Sequence, residues 1–177
     1  RYSDIIKNIT FHDILKGSLI SKKNRFKKSG KFELELLKKV SHIIGRTSWD
    51  RARTWAINPN ADYHFCYETL REEFYDSSIW SYSDCIKHSI FLSQAEYPIK
   101  GFHQVLKAIP LVLRDFPDTT IRIAGYDITS SSGIKGFIHF TGYGNYIKRL
   151  IRKYRLEKAI TFVGNLNAEK MKQEYLK

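Results

Sequence analysis

The chain has 177 residues, 42% of them hydrophobic and 14% aromatic, enough to bury the core of one ordinary domain or pieces of two. Its 30 Lys and Arg outnumber 18 Asp and Glu for a formal charge of +12, divided as 16 basic and 11 acidic residues over 1–90 and 14 and 7 over 91–177. This spread excludes a single basic tail and favours anionic partners: nucleic acid, anionic lipid or phosphorylated small molecules. No apolar run approaches the roughly 18 residues of a membrane-spanning helix, and "RYSDIIKNIT" lacks the apolar core of a signal peptide. The chain opens on Arg1 and stops inside an apparent helix, and is expected to be a segment of a longer protein. Cys66 and Cys85 have no metal-type spacing and the six His are scattered, so reduced thiols, a cytoplasmic setting and no metal site are expected. The sequon at Asn8 carries no weight without a secretory signal.

In chain order, "SKKNRFKKSG" (21–30) is the densest charge cluster and reads as a solvated loop. "KFELELLKKV" is helical and leads into the short apolar run "VSHIIG" (40–45). "SWDRARTWAI" is helical and ends before Pro59. "ADYHFCY" (61–67) reads as a strand, and "ETLREEFYDSSIWSYSDC" as a helical opening followed by an unperiodic crossing between domains.

From Ser89 the pattern becomes regular. "SIFLS" is an apolar, β-branched strand. The segment after Gly101 places Val105, Leu106, Ile109, Val112 and Leu113 near helical spacing, with Pro110 expected to kink it. "TTIRIA" is a strand, and "NYIKRLIRKYRL" sets Ile147, Leu150, Ile151 and Tyr154 on one face against Lys148, Arg149, Arg152, Lys153 and Arg155. "AITFVG" is a third strand and "NAEKMKQEYLK" begins another helix. Alternating strands and helices with short apolar strands predict an α/β fold: parallel sheets of Rossmann type, helices on both faces, in parts of two domains divided as 1–80 and 81–177.

Ligands of such sheets bind beyond the carboxyl ends of the strands. Each of the three loops there carries a glycine near a strand end or helix start, which permits close backbone approach. A helix N-terminus attracts anions, and Lys100 adds a full charge immediately before Gly101. The combination suits a diphosphate, although surface lysines before helices are common. "GIKG" (133–136) lacks the spacing of a P-loop, and the basic run around Arg152 fits either a solvated face or anionic membrane.

"SQAEYPIKGFHQVLKAIPLVLRDFPDTTIRIAG" (93–125) and "GYGNYIKRLIRKYRLEKAITFVGNLNAEKMKQEYL" (142–176) resemble the first half of the nucleotide-sugar-binding domain of retaining GT-B glycosyltransferases, of the group that includes glycogen synthases. Upstream, "HIIGRTSWDRARTWAINPNADYHFCYETLREEFYDSSIW" (42–80) resembles the end of the acceptor-side domain in a bacterial polysaccharide-assembly branch. The resemblance implies that Lys100, with Gly101, contacts the donor diphosphate, that Gly125 ends the second strand beside the donor, and that Gly164, Asn165 and Leu166 form the loop near the base. Arg46 and Thr47 would face the cleft from the acceptor side; for Arg46 the plain alternative is a pair with Asp50. It further implies no cofactor and no metal, a nucleotide-diphosphate sugar as donor, a glycan or lipid-linked acceptor, and peripheral contact with anionic membrane rather than nucleic acid.

The sequence departs from the pattern at Ser93, Gln94, Ala95 and Glu96, where many members carry a second diphosphate ligand, an arginine. The paired catalytic glutamates of the group belong beyond Lys177 and its acceptor glycine loop before Arg1, so catalytic residues stay unassigned and the segment by itself is expected to be inactive. Two alternatives of other classes stay open: a basic nucleic-acid-binding module, and a phosphate-binding regulatory domain without catalysis.

Overall fold

The computed structural model describes residue 14 and residues 18–75, 78–130 and 141–177, with backbone alone at 18–23. The sequon at Asn8, His12, His139 and the "GIKG" segment lie outside the described residues. The chain divides into two compact units, one of them Gly17–Leu70 and the other containing Arg71–Lys177.

In the first unit, helix α1 (Ser18–Leu37) precedes strand β1 (His42–Gly45), helix α2 (Ser48–Ile57) and strand β2 (Asp62–Phe65). The expected loop at 21–30 is therefore helix. Its lysines and arginine are good helix formers with no proline among them, and charged side chains reach solvent as easily from a helix as from a loop. The C-terminus of α1 is closed from α2's end: Asn58 Nδ2 donates to the carbonyls of Leu37 at 2.8 Å and Val40 at 2.9 Å. β1 and β2 pair in parallel, His42 against Asp62 through Gly45 against Phe65, with α2 as the crossover. Ile43 and Ala61 are the buried apolar side chains described here, and Trp55 donates its indole N–H to the Ala61 carbonyl at 3.0 Å.

The second unit opens on a single 3₁₀ turn (Glu72–Phe74), shorter than the helix expected at "ETLREEF". Leu70 in that stretch is exposed and the turn buries no side chain, so packing does not support a longer helix. Strand β3 (Ser89–Leu92), helix α3 (Phe102–Asp115), strand β4 (Thr120–Ala124), helix α4 (Gly142–Tyr154), strand β5 (Ile160–Gly164) and helix α5 (Ala168–Leu176) follow. The sheet order is β3-β4-β5, all parallel. α3 continues past Pro110 to Asp115.

Strand alternation decides which helix meets which face. Ile121 and Ile123 are fully buried in a cluster with Phe102, Leu106 and Ile109 of α3 and Ile147, Leu150 and Ile151 of α4. Residues of the other parity turn the opposite way: Phe91 meets the Tyr175 ring of α5 at 5.2 Å, edge to face, and Arg122 pairs with Glu174. Helices thus cover both faces, as the parallel pattern requires. The Arg122 and Glu174 side chains are only 14% and 10% exposed, and Lys177 also contacts Glu174, at 2.7 Å.

This pair fixes α5 on the sheet, and removing one partner strands the other charge. Arg122→Leu is expected to lower urea-unfolding stability by about 2–3 kcal/mol, below the usual range for a fully buried pair because Lys177 still faces Glu174. Replacing both Arg122 and Glu174 by Leu is expected to recover most of the loss, read from the same unfolding curves.

Candidate functional site

Because β3, β4 and β5 are parallel, their carboxyl ends Leu92, Ala124 and Gly164 lie on one edge of the sheet. Three loops leave that edge, and each holds a backbone in the left-handed region: Gly101 at φ 80, Gly125 at φ 105 and Gly164 at φ 77. Gly125 and Gly164 come together, the Gly125 N–H donating to the Gly164 carbonyl at 2.9 Å.

The first loop joins them through a residue that the sequence singled out only as a missing arginine. Glu96 accepts a hydrogen bond from the Tyr126 N–H at 3.1 Å, and a Cβ at Gly125 would sit 2.7 Å from its carboxylate oxygen. Glycine at 125 therefore answers both to backbone angle and to crowding. Ala95 beside it is buried in the core, which orients the loop. The one legible signal was an acid among neutral residues at a strand-to-helix junction, and nothing local reveals that its acceptor role falls on a backbone thirty positions away.

Lys100 closes a 3₁₀ turn (Pro98–Lys100) and is exposed. Among the described residues its ammonium faces no carboxylate. Gly101 then caps α3 with backbone only, whereas Thr141 and Asn167 cap α4 and α5 with side-chain oxygens. Among the described residues the first N–H groups of α3 are thus left without a side-chain acceptor beside a lysine, a setting suited to an anion. Asn165 is exposed and Leu166 half-buried between Gly164 and the Asn167 cap.

Arg46 and Thr47 belong to the other unit, Gly17–Leu70. Thr47 is the N-cap of α2: its hydroxyl accepts from Asp50 N–H at 3.0 Å while the Asp50 carboxylate accepts from its own N–H at 3.2 Å, a reciprocal capping box. These bonds hold the Asp50 carboxyl below the ordinary aspartate value, the Thr47 hydroxyl first among the causes. The Arg46 guanidinium pairs with Glu68, and its N–H reaches Asp50 at 3.4 Å. The alternative pairing of Arg46 with Asp50 is thus made by the backbone and not the guanidinium.

A cavity of about 480 Å³ lies at the opposite, amino edge of the sheet, lined by Trp80, Ile86, Phe91, Val112, Phe116 and Tyr175 among others. It is apolar and distant in topology from the three glycines. Close to the carboxyl edge, His103 in the first turn of α3 faces Tyr143 in the first turn of α4, Nδ1 to hydroxyl at 3.5 Å. Burial, then the Lys107 charge, holds His103 below the ordinary histidine value, and burial raises Tyr143.

Neither a family description nor a curated protein matches the sequence. Among solved structures, that of a Staphylococcus aureus TarM mutant in complex with Fondaparinux, alpha-GlcNAc-glycerol and UDP superposes with a TM-score of 0.53 at 14% identity, over 78% of this chain and 24% of TarM. TarM is a GT-B glycosyltransferase. The likeness is one of fold: a glycosyltransferase-like α/β architecture with parallel strands in two small sheets flanked by helices. The chain spans about a quarter of the TarM chain's length.

His103 gives the site a pH signature. Its depressed folded-state value means that the unfolded chain binds the proton first, so stability is expected to fall as pH drops below the ordinary histidine value, about 6.5. Thermal midpoints of wild type and His103→Gln measured between about pH 7.5 and 5 should diverge, the wild type losing more on the acid side.

Proposed function

We propose that this chain forms part of a retaining GT-B glycosyltransferase that moves a sugar from a nucleotide-diphosphate donor to a glycan or lipid-linked acceptor. One observation carries the reading. A lysine ammonium that faces no carboxylate among the described residues stands beside the N-terminus of α3, which Gly101 caps without a side chain, at the edge where Gly125 and Gly164 meet in left-handed conformation. The TarM complex with UDP and an oligosaccharide supports the same substrate classes by analogy of fold.

On this reading the donor diphosphate lies across the N-terminus of α3. Cleavage of the sugar–phosphate bond leaves negative charge on the departing oxygen, and a fixed cation and aligned N–H groups stabilise that charge more than the ground state. Lys100 and the helix end supply this without a metal. Gly101 and Gly125 let the backbone approach the phosphates, and Gly164, Asn165 and Leu166 flank the base. The carboxylates that complete catalysis are unassigned. The setting is the cytoplasmic side of bacterial polysaccharide or glycolipid assembly, where a basic protein meets anionic membrane.

Calorimetric titration of the chain with UDP and GDP tests the placement. Lys100→Ala is expected to weaken diphosphate binding roughly tenfold to a hundredfold, the range for a charge-assisted hydrogen bond, while leaving the thermal midpoint unchanged. Equal affinity of the two proteins would remove Lys100 from the donor site.

A further inference from the structure

We infer that His103 is a second ligand of the donor diphosphate and takes up a proton as that anion arrives. Its imidazole belongs to the first turn of α3, just past Gly101 and at the same helix end as Lys100. Side chains of a helix lean toward its N-terminus, which carries the ring back to the carboxyl edge of the sheet. Buried Phe102 meets the Phe162 ring edge-on at 6.4 Å and fixes this first turn on the core.

His103 is half-buried against the first turn of α4. Its Nδ1 is 3.5 Å from the Tyr143 hydroxyl, and the Tyr143 and Tyr146 rings lie 6.0 and 6.1 Å away. Thr141 steadies that turn, its hydroxyl accepting from the Gly144 N–H at 3.1 Å. Among the described residues the titratable groups facing His103 are these two phenols and, on its own helix, Lys107; no carboxylate pairs with it. Burial, then the Lys107 charge, keeps the imidazole of the empty site neutral at about pH 7.

The nature of the partner matters. His88, by contrast, faces the Asp118 carboxylate at 2.7 Å, a partner that favours the charged ring whether or not a ligand is present. A phenol satisfies Nδ1 without bringing charge. In the imidazolium both ring nitrogens donate, so Nδ1–H goes to the Tyr143 oxygen and Nε2–H serves a phosphate oxygen. The site has a deficit of positive charge to fill. A sugar nucleotide's diphosphate carries about two negative charges, against one on Lys100 and about half a charge at the helix end. The Glu96 carboxylate beside Gly125 deepens that deficit. An anion at this edge raises the His103 value above that of the empty site, so protons are taken up on binding and affinity grows as pH falls through the gap.

This role presupposes the diphosphate site at Lys100, and calorimetry separates the two. The 177-residue chain is titrated with UDP at about pH 7 in buffers of different ionisation enthalpy, which counts protons taken up. The terminal phosphate of UDP titrates at about pH 6 whichever protein is used, so the difference between proteins is what is read. His103→Gln is expected to lose uptake of a fraction of a proton and to bind UDP roughly tenfold more weakly at about pH 6.5, the gap narrowing toward about pH 8. Tyr143→Phe keeps the ring and removes the acceptor; it should weaken UDP about threefold to tenfold and reduce the uptake. Thermal midpoints without nucleotide at about pH 8 should match among the three proteins, because the imidazole is neutral there in folded and unfolded chains alike. Equal uptake and equal affinity in wild type and His103→Gln overturn the inference, and the donor site stands if Lys100→Ala still weakens UDP. Absence of UDP binding, or binding indifferent to Lys100, removes the donor site and this role together.

Discussion

Parallel pairing of three short strands is the constraint from which the rest of the second unit follows. Strands that run the same way must each be followed by a crossover, so every strand-to-helix loop leaves from one edge and every helix-to-strand return lies at the other. That rule sets Lys100, Gly125 and Gly164 on a common edge although 64 positions separate the first from the last. It also sets the apolar cavity at the return edge, among Val112, Phe116 and the start of β3. The candidate site and the apolar cavity thereby lie at opposite ends of one small sheet.

The two faces of that sheet are held differently. Under α3 and α4 the contacts are apolar: Ile121, Ile123, Phe102, Leu106 and Ile147 exclude water, and each buried side chain contributes about 2 kcal/mol. Under α5 the contacts are an aromatic edge and an ion pair, Phe91 with Tyr175 and Arg122 with Glu174. At the carboxyl edge the Glu96 carboxylate plays a comparable part, accepting from the Tyr126 N–H and joining two loops at the glycine they share.

Charge is distributed with a similar division of labour. Some cations are engaged in structure, such as Arg46 with Glu68 and Arg122 with Glu174. Others are exposed, such as Arg152 and Lys153 of α4 and Arg25, Lys27 and Lys28 of α1, which is helical although its composition suggested a loop. A charged run says that a segment is solvated and says little about its backbone, because helix and loop expose lysine equally well.

The strands, the two amphipathic helices α3 and α4, and the parallel class were legible in the sequence, since apolar periodicity is local and follows from whichever face must be buried. The glycines at 101, 125 and 164 were legible as residues that permit close backbone approach, and only the structure shows that each sits in the left-handed region. What the sequence could not show were pairings across distance: Glu96 with Tyr126, Arg122 with Glu174, Asn58 closing α1, and the meeting of Gly125 with Gly164. Nor could it show that "ETLREEF" shrinks to one turn or that Arg155 occupies a glycine-like cap. Periodicity is written in neighbours three or four positions apart. A hydrogen-bond acceptor or a counter-charge is chosen only when the chain has folded and brought distant segments within about 3 Å of one another.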